Sequence, residues 1–279
     1  MSHMLPVAFG ALGLAAILMP NAQVHGAPVI VTWEPAGSTP ALSSAPAAFT
    51  ADAMSLTNYI RGVATNNLTT HTQTSVVKQF QTIEGFTLGG APVTAPGLNA
   101  TYGLYFQLAT TTLFPINGSG VIIGPGVYTQ LDIQLVGDVG HDDGSVIDNA
   151  AGIGFSNAAG VNNDVVLATG SLVTASLSVN PNGSRNARYL TTFQPVATEA
   201  GLFPGLNPGL DLEIRLNTPA SAFQLVPVDS VTTLQVVGAN GSSTGTAQLV
   251  PEPASLALLA VGVFVLAGSR RFGHREGVS

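Results

Sequence analysis

The densest group of potential metal ligands in this chain is an acidic segment near its middle. Asp138, Asp142, Asp143 and Asp148 lie close together in sequence, with His141 between them and glycines on either side of the histidine. Hard cations such as Ca²⁺ take several oxygens from closely spaced carboxylates in a glycine-bearing loop. The four aspartates are therefore a candidate Ca²⁺ site. EF-hand spacing is absent, so a solvated loop, or a zinc or catalytic role for His141, stays open.

Other catalytic candidates are few. Residues 241–245 match the G-x-S-x-G string of serine hydrolases, whose serine needs a tight turn between a strand and a helix. No helical pattern follows Ser243, so we predict that it is not a nucleophile. His71 lies in a polar stretch that predicts a surface hairpin. Glycoside hydrolysis needs two acids in one cleft, and the sequence does not say whether any two come together among Glu34, Glu84, Glu199 and Glu213.

Composition restricts the class of protein. The chain has 279 residues, of which 46% are hydrophobic and only 8% charged, against about 25% charged in ordinary soluble domains. Such low charge, with many Gly, Thr, Ser and Asn residues, is typical of extracellular β-rich proteins. Cysteine is absent, which excludes disulfides and thiolate chemistry. The net charge is −7, and no basic patch is present in the body, so nucleic-acid binding is not expected.

The amino end has the pattern of a secretory signal peptide. An apolar run over residues 5–19 leads into a proline and then into small residues, as such signals require. We predict a signal peptide over residues 1–26, with cleavage between Gly26 and Ala27. The basic residues usual at the start of such a signal are missing, and a first buried helix of the fold is the alternative.

The body, residues 27–237, has the alternation of half-buried strands. In residues 210–216 leucines and an isoleucine alternate with charged residues, and residues 130–135 repeat the pattern. Further strands are predicted at 29–33, 54–60, 76–87, 102–110, 165–169, 172–179, 188–194, 222–226 and 231–237. Asn-Gly and Pro-Gly pairs separate many of them. The pattern predicts an all-β extracellular domain, an antiparallel β-sandwich or jelly roll.

Residues 238–249 are rich in Gly, Ser, Thr and Asn and contain no charge. Such a composition is typical of flexible linkers. We therefore predict a flexible connection between the β domain and the carboxyl-terminal segment.

That segment, residues 250–275, has three parts in a fixed order. Val250-Pro251-Glu252-Pro253 comes first, an uncharged apolar run over residues 254–268 follows, and Arg270 and Arg271 come after it. The run predicts a transmembrane helix, although a comfortable span needs about 20 residues. The two arginines would hold its end on the cytoplasmic side. A glycolipid-anchor signal normally ends with its apolar tail, and a buried core helix is the remaining alternative.

These residues resemble the PEP-CTERM sorting domain of Gram-negative bacteria. Pro251-Glu252-Pro253 corresponds to its namesake motif, residues 254–268 to its membrane helix, and Arg270-Arg271 to its basic stop. The resemblance implies processing by an exosortase. It also implies a membrane-anchored precursor in the inner membrane, a host that makes exopolysaccharide, and delivery to the cell surface or extracellular matrix.

The body also resembles the flocculation-associated PEP-CTERM proteins of floc-forming bacteria. Residues 49–52, 84–90 and 97–106 carry this resemblance. It implies a part in cell aggregation together with exopolysaccharide, and it brings no catalytic residues with it.

Three functions follow as hypotheses. The first is a non-enzymatic surface or matrix protein, with exopolysaccharide as its partner and no cofactor. The second is a secreted carbohydrate-active hydrolase. The third is a Ca²⁺-dependent, lectin-like adhesin that uses Asp138, Asp142, Asp143 and Asp148.

Overall fold

The computed structural model describes residues 27–43, 47–141, 145–147, 155–157, 163–179, 182, 184–207, 209–227, 231–237 and 243–252. Strands dominate this part of the chain, and only three short 3₁₀ turns accompany them, at Pro35–Gly37, Ala197–Leu202 and Ala220–Ala222. The strands in chain order are β1 (Val31–Trp33), β2 (Phe49–Ala51), β3 (Ala53–Asn67), β4 (Thr72–Leu88), β5 (Ala91–Val93), β6 (Tyr102–Pro115), β7 (Val127–Val139), β8 (Ser145–Ile147), β9 (Phe155–Asn157), β10 (Val165–Val179), β11 (Arg185–Pro195), β12 (Leu210–Thr218), β13 (Phe223–Pro227), β14 (Thr232–Val237) and β15 (Ser243–Pro251).

Eight long strands form one closed, barrel-like sheet. Its order is β3-β15-β12-β11-β10-β7-β6-β4, and β4 pairs again with β3 to complete the ring. Neighbouring strands are antiparallel. The hairpin β13–β14 pairs with the far half of β3, and β5 pairs with the end of β4. The all-β, antiparallel prediction is confirmed, but the sheet closes on itself where a two-sheet sandwich or jelly roll was predicted.

Strand length and irregularities explain the closure. β3, β4 and β10 have 15, 17 and 15 residues, which is long enough to coil around a core. Register shifts interrupt the pairing at Ser55/Leu56, Thr111/Thr112, Val166/Ala168 and Leu172/Thr174. Such bulges bend a strand and increase its twist, which a sheet needs in order to close.

The interior of the closed sheet is apolar over most of its length. On β12, Leu210, Leu212, Ile214 and Leu216 are buried, and they alternate with the residues of the outer face. Phe106 and Leu108 of β6, Leu131 and Ile133 of β7 and other buried side chains fill the same space. The period-two pattern of the sequence therefore marks the inside of the closed sheet.

One end of the closed sheet, the closed end, is plugged. The small sheet β1–β2 lies here, and Trp33 of β1 packs against Phe86 and Phe203 with ring centroids 4.9 and 5.0 Å apart. The amide of Val29 donates to the carbonyl of Leu249 at 2.8 Å. The start of the described chain and the end of β15 therefore lie together. The other end, the mouth, carries the β3–β4 turn and the β6–β7 loop.

Many of the residues predicted as a flexible linker, 238–249, form strand β15 instead. It pairs with β12 on one side and with β3 on the other, so the domain continues past residue 237. Small residues fit here because the strand is tightly packed: a Cβ on Gly245 would meet Leu216 Cδ2 at 2.5 Å and the Arg215 carbonyl oxygen at 2.7 Å. The composition that suggested flexibility is that of a close-packed strand.

The predicted signal peptide at residues 1–26 and the apolar run at 254–268 lie outside the described residues. Among the residues that are described, the chain forms no helix of sufficient length and apolarity to span a membrane.

Candidate functional site

The acidic segment is described only in part. Asp138 is buried near the end of β7, and its Oδ2 lies 3.6 Å from Nδ1 of His141. Both side chains lie against Gly103 on the neighbouring strand β6. Asp142, Asp143 and Asp148 lie outside the described residues. Within the described ranges no cluster of three or more potential ligands is positioned to hold a metal, and the four-aspartate Ca²⁺ site stays a prediction.

Ser243 and His71, the two candidates for nucleophilic catalysis, lie in different settings: one is buried in a strand and the other is exposed in a turn. Ser243 is buried inside the closed sheet at the start of β15, where its hydroxyl lies 2.9 Å from Thr218 Oγ1 and 3.4 Å from Asn58 Nδ2. His71 is exposed in the turn between β3 and β4 and has a left-handed φ of 52°. The serine begins a strand, so it lacks the strand–turn–helix setting that activates a hydrolase serine.

The four glutamates considered for glycoside hydrolysis are spread over three parts of the fold, because only Glu34 and Glu199 share a region, the two touching 3₁₀ turns. Glu213 is buried on the outer face of β12, and Glu199 is buried in the second 3₁₀ turn, where its Oε2 accepts a hydrogen bond from the Thr39 amide at 2.7 Å. Glu84 is exposed on β4, and Glu34 precedes the first 3₁₀ turn. Their positions give each buried acid a structural partner.

Glu213 organises a charged cluster on the outer face. Arg188 donates to its Oε1, Arg215 donates to both oxygens at 3.0 and 3.1 Å, and Gln248 donates to its Oε2 at 2.7 Å. Burial alone would raise the pKa of Glu213, but the hydrogen bonds from Arg215, Arg188 and Gln248 outweigh it and hold the pKa below its usual value. Glu213 thus stays ionised and fixes both guanidinium groups on the surface.

A groove crosses the outer face beside this cluster. We call it the outer groove; its volume is about 660 Å³, and it spans β10, β11, β12 and β15. The outward-facing residues along it are all polar: Ser176, Ser178, Asn186, Arg188, Arg215, Asn217, Thr244 and Thr246. It is open along its length, so it can accept a chain as well as a small molecule.

The mouth of the closed sheet opens into a second cavity, which we call the cup. Its volume is about 530 Å³, and it lies inside the sheet above the apolar core. Apolar side chains form much of its wall, and the polar lining residues are Gln73, Ser75, Gln79, Thr110, Thr112, Tyr128, Arg185, Tyr189 and Thr218. Arg185 is the one charged side chain among these described lining residues.

A chain of hydrogen bonds forms the floor of the cup. Gln81 Nε2 donates to Gln79 Oε1 at 3.2 Å, and Gln79 Nε2 donates across the interior to the Tyr189 hydroxyl at 2.8 Å. The side chains of Tyr189 and Tyr128 hydrogen-bond each other, and burial raises the pKa of both phenols. Both tyrosines therefore stay neutral, so Arg185 faces no formal negative charge from them.

The carboxyl-terminal motif begins inside the closed sheet. Val250 is buried and pairs with Asp211, Pro251 pairs with Leu210, and the Glu252 amide donates to the Gly209 carbonyl at 3.2 Å. The first two residues of the motif, Val250 and Pro251, are therefore also the last paired residues of β15. Gly26, Pro253, Arg270 and Arg271 lie outside the described residues, and Ala27 is the first residue described.

The outer groove and the cup were missed by sequence reasoning. Their lining residues come from strands that are distant in sequence and meet only when the sheet closes. A signal was present in part: Ser75, Gln79, Thr110 and Thr112 are polar residues at inward-facing positions of strands that otherwise alternate.

Comparison with known proteins identifies the tail. The family model of the PEP-CTERM protein-sorting motif matches residues 249–271, which confirms the resemblance noted for this segment. The motif implies an exported protein that an exosortase sorts and processes, by way of a membrane-anchored precursor in Gram-negative bacteria. No curated protein and no solved structure matches the chain.

Proposed function

We propose that this chain is a non-enzymatic protein of the cell surface or extracellular matrix, which binds exopolysaccharide and helps cells to aggregate. The observation that carries the proposal is the outer groove, a continuous polar surface on a domain whose sorting motif marks it for export. The resemblance of the body to flocculation-associated proteins supports the proposed role in cell aggregation.

The chemistry of the outer groove suits a hydrated acidic sugar chain. Ser176, Asn186, Asn217 and Thr246 offer hydroxyl and amide groups, which can exchange hydrogen bonds with sugar hydroxyls. Arg215 has a side chain 57% exposed, so its guanidinium is accessible to a uronate or another anionic substituent. Guanidinium groups bind carboxylates by paired hydrogen bonds.

The Glu213 cluster makes this surface rigid. Because Glu213 is ionised and fully buried, Arg188 and Arg215 are held in place before a ligand arrives. Fixing a side chain in advance lowers the entropy that binding would otherwise cost. Many weak contacts along an open groove give modest affinity for each sugar unit and cumulative affinity for a long chain.

The proposal is tested with Asn217→Glu, which places a negative charge in the outer groove and leaves Glu213, Arg188, Arg215 and Gln248 unchanged. We expect this variant to lose binding to the exopolysaccharide of the host and to restore flocculation poorly in a deletion strain. Thr65→Glu is the matched control, because Thr65 is exposed on β3, away from the groove. Settling of cells and co-sedimentation of purified protein with the polysaccharide are the measurements.

Two results would count against the proposal. One is an Asn217→Glu protein that binds and flocculates as well as the Thr65→Glu control. The other is release of reducing ends from the polysaccharide by the purified protein, which would favour the hydrolase alternative.

A further inference from the structure

The proposed function does not involve the cup, whose polar groups lie on two opposite walls. Ser75 of β4 and Thr112 of β6 are partners in the register and place hydroxyl groups on one side. Arg185 of β11 and Thr218 of β12 are partners on another pair of strands. In the closed order β4 and β11 are four strands apart in both directions, so the hydroxyl groups and the guanidinium face each other across the cavity.

Between these two polar walls the cup is apolar. Ile60, Val77, Leu177, Ala187 and Leu216 contribute to the lining. Cavities of about 300–1,000 Å³ with apolar walls and a few placed polar groups are typical binding sites for small molecules. The cup, at about 530 Å³, belongs to this class.

The mouth adds an apolar rim. Six large apolar side chains are exposed around it, from the β3–β4 turn and the β6–β7 hairpin: Leu68, Leu113, Val121, Ile122, Ile123 and Val127. The turn and the loop adjoin each other, since a Cβ on Gly120 would lie 3.8 Å from Leu68 Cδ2. Ile122 belongs both to the rim and to the lining of the cup. An apolar entrance that continues into an apolar wall favours an amphiphile over a fully hydrated sugar.

Arg185 indicates which polar group such an amphiphile should carry. Its guanidinium stays charged under all ordinary conditions, yet burial lowers its pKa, which means that the charge is less well solvated than in water. The phenols of Tyr128 and Tyr189 are neutral, as described above. A carboxylate that enters the cup could form a charge-assisted hydrogen bond with this guanidinium.

We propose that the cup binds a small monocarboxylic acid with an apolar chain or ring, its carboxylate paired with Arg185 and its apolar body against the walls and rim. The site is internal and opens at the mouth, whereas the outer groove lies on the outside of β10, β11, β12 and β15. Ala187 and Leu216 line both cavities, but Arg185 lines only the cup and Asn217 only the outer groove, so substitutions of these two residues test the sites separately.

The test is a calorimetric titration of the full chain, held in lipid nanodiscs, with octanoate; empty nanodiscs give the background heat. Octanol has the same apolar body without the charge, and glucuronate has the charge without the apolar body. We expect octanoate to bind. Octanol should bind at least about tenfold more weakly because it lacks the charged hydrogen bond to Arg185. Glucuronate should also bind at least about tenfold more weakly because it lacks the apolar chain whose burial favours binding.

Three variants locate the binding. Arg185→Gln should weaken octanoate binding by about tenfold or more and leave octanol unchanged. Ala187→Phe, which fills the cup from β11, should abolish binding of octanoate. Arg61→Gln removes the same charge from the outer face of β3 and should bind octanoate like the wild type.

The proposal is overturned if octanoate gives no saturable heat, if octanol or glucuronate binds as tightly as octanoate, or if octanoate binding survives in Ala187→Phe. The Ala187→Phe result decides the matter even if Arg185→Gln does not fold. Loss of polysaccharide binding in Asn217→Glu is independent of every one of these outcomes.

Discussion

Asp211 illustrates how a single residue couples the sheet to the sorting motif. Its side chain lies beside Glu252 at the end of β15 and is 1% exposed. Neither carboxylate oxygen has a hydrogen-bond partner among the described residues. Burial raises the pKa of Asp211, and the charge of Glu252 raises it further, to about 6. The folded protein therefore binds a proton at Asp211 more tightly than an ordinary aspartate does.

The shift predicts a pH-dependent stability. Because the pKa of Asp211 in the folded state is about 6 and its ordinary value is 3.8, the folded state holds this proton more tightly than the unfolded state. The stabilisation of the folded state by this proton is complete below the ordinary pKa and is lost as the pH rises through about 6. We expect Asp211→Asn to remove this loss and to be more stable than the wild type near pH 8, as measured by urea unfolding at several pH values.

The exposed Asp132 supplies the control, since Asp132→Asn should retain the pH dependence of the wild type. If Asp211→Asn also retains it over the range from about pH 4 to about pH 8, the assignment to Asp211 is wrong.

At the scale of elements, the plug at the closed end depends on two glycines. The 3₁₀ turns Pro35–Gly37 and Ala197–Leu202 touch through Gly37 and Gly201: a Cβ on Gly201 would lie 2.3 Å from the Gly37 carbonyl oxygen. The contact is with backbone, which cannot rotate away. We expect Gly201→Ala to lower the free energy of unfolding by about 1–3 kcal/mol, as for other overpacked sites, measured by urea unfolding.

Gly118 provides the comparison for that substitution. A Cβ there would meet nothing within 4 Å, so Gly118→Ala should leave the stability unchanged or raise it slightly through the unfolded chain. Equal stability of the two variants would contradict the close approach of the 3₁₀ turns.

Most long strands were predictable from the sequence, because alternation survives wherever one face is buried. The segments 165–169 and 172–179 were predicted as two strands and form one, β10, with a bulge between Leu172 and Thr174. β15 was missed because Ser243, Gly245 and Ala247 are small, and small residues are as typical of loops as of tightly packed strands. Local composition does not distinguish these two cases.

At the scale of the whole molecule, the closure of the sheet on itself could not be predicted from the sequence. An alternating strand has the same pattern whether its inner face meets a second sheet or the far wall of the same sheet. The decisive pairing of β3 with both β4 and β15 joins residues at opposite ends of the domain, such as Ala247 and Met54. The outer groove and the cup depend on this pairing, so neither could be predicted, whereas the local order of the sorting motif could.

Residue 252, the last residue described before the predicted membrane segment, lies at the closed end, and this position predicts how the domain is oriented relative to the membrane. While the precursor is tethered through the segment that follows, the plug should lie toward the membrane and the cup should open toward the surroundings.

The chain has no cysteine, so Ala91→Cys at the closed end and Ser119→Cys at the mouth can each carry one fluorophore. β4, with 17 residues, separates these levels by roughly 40 Å once its tilt is included. A quencher attached to lipid headgroups should quench position 91 far more than position 119; equal quenching would mean that the tether does not orient the domain. In the tethered precursor, an outward-facing mouth would be the part of the domain that lies farthest from the membrane.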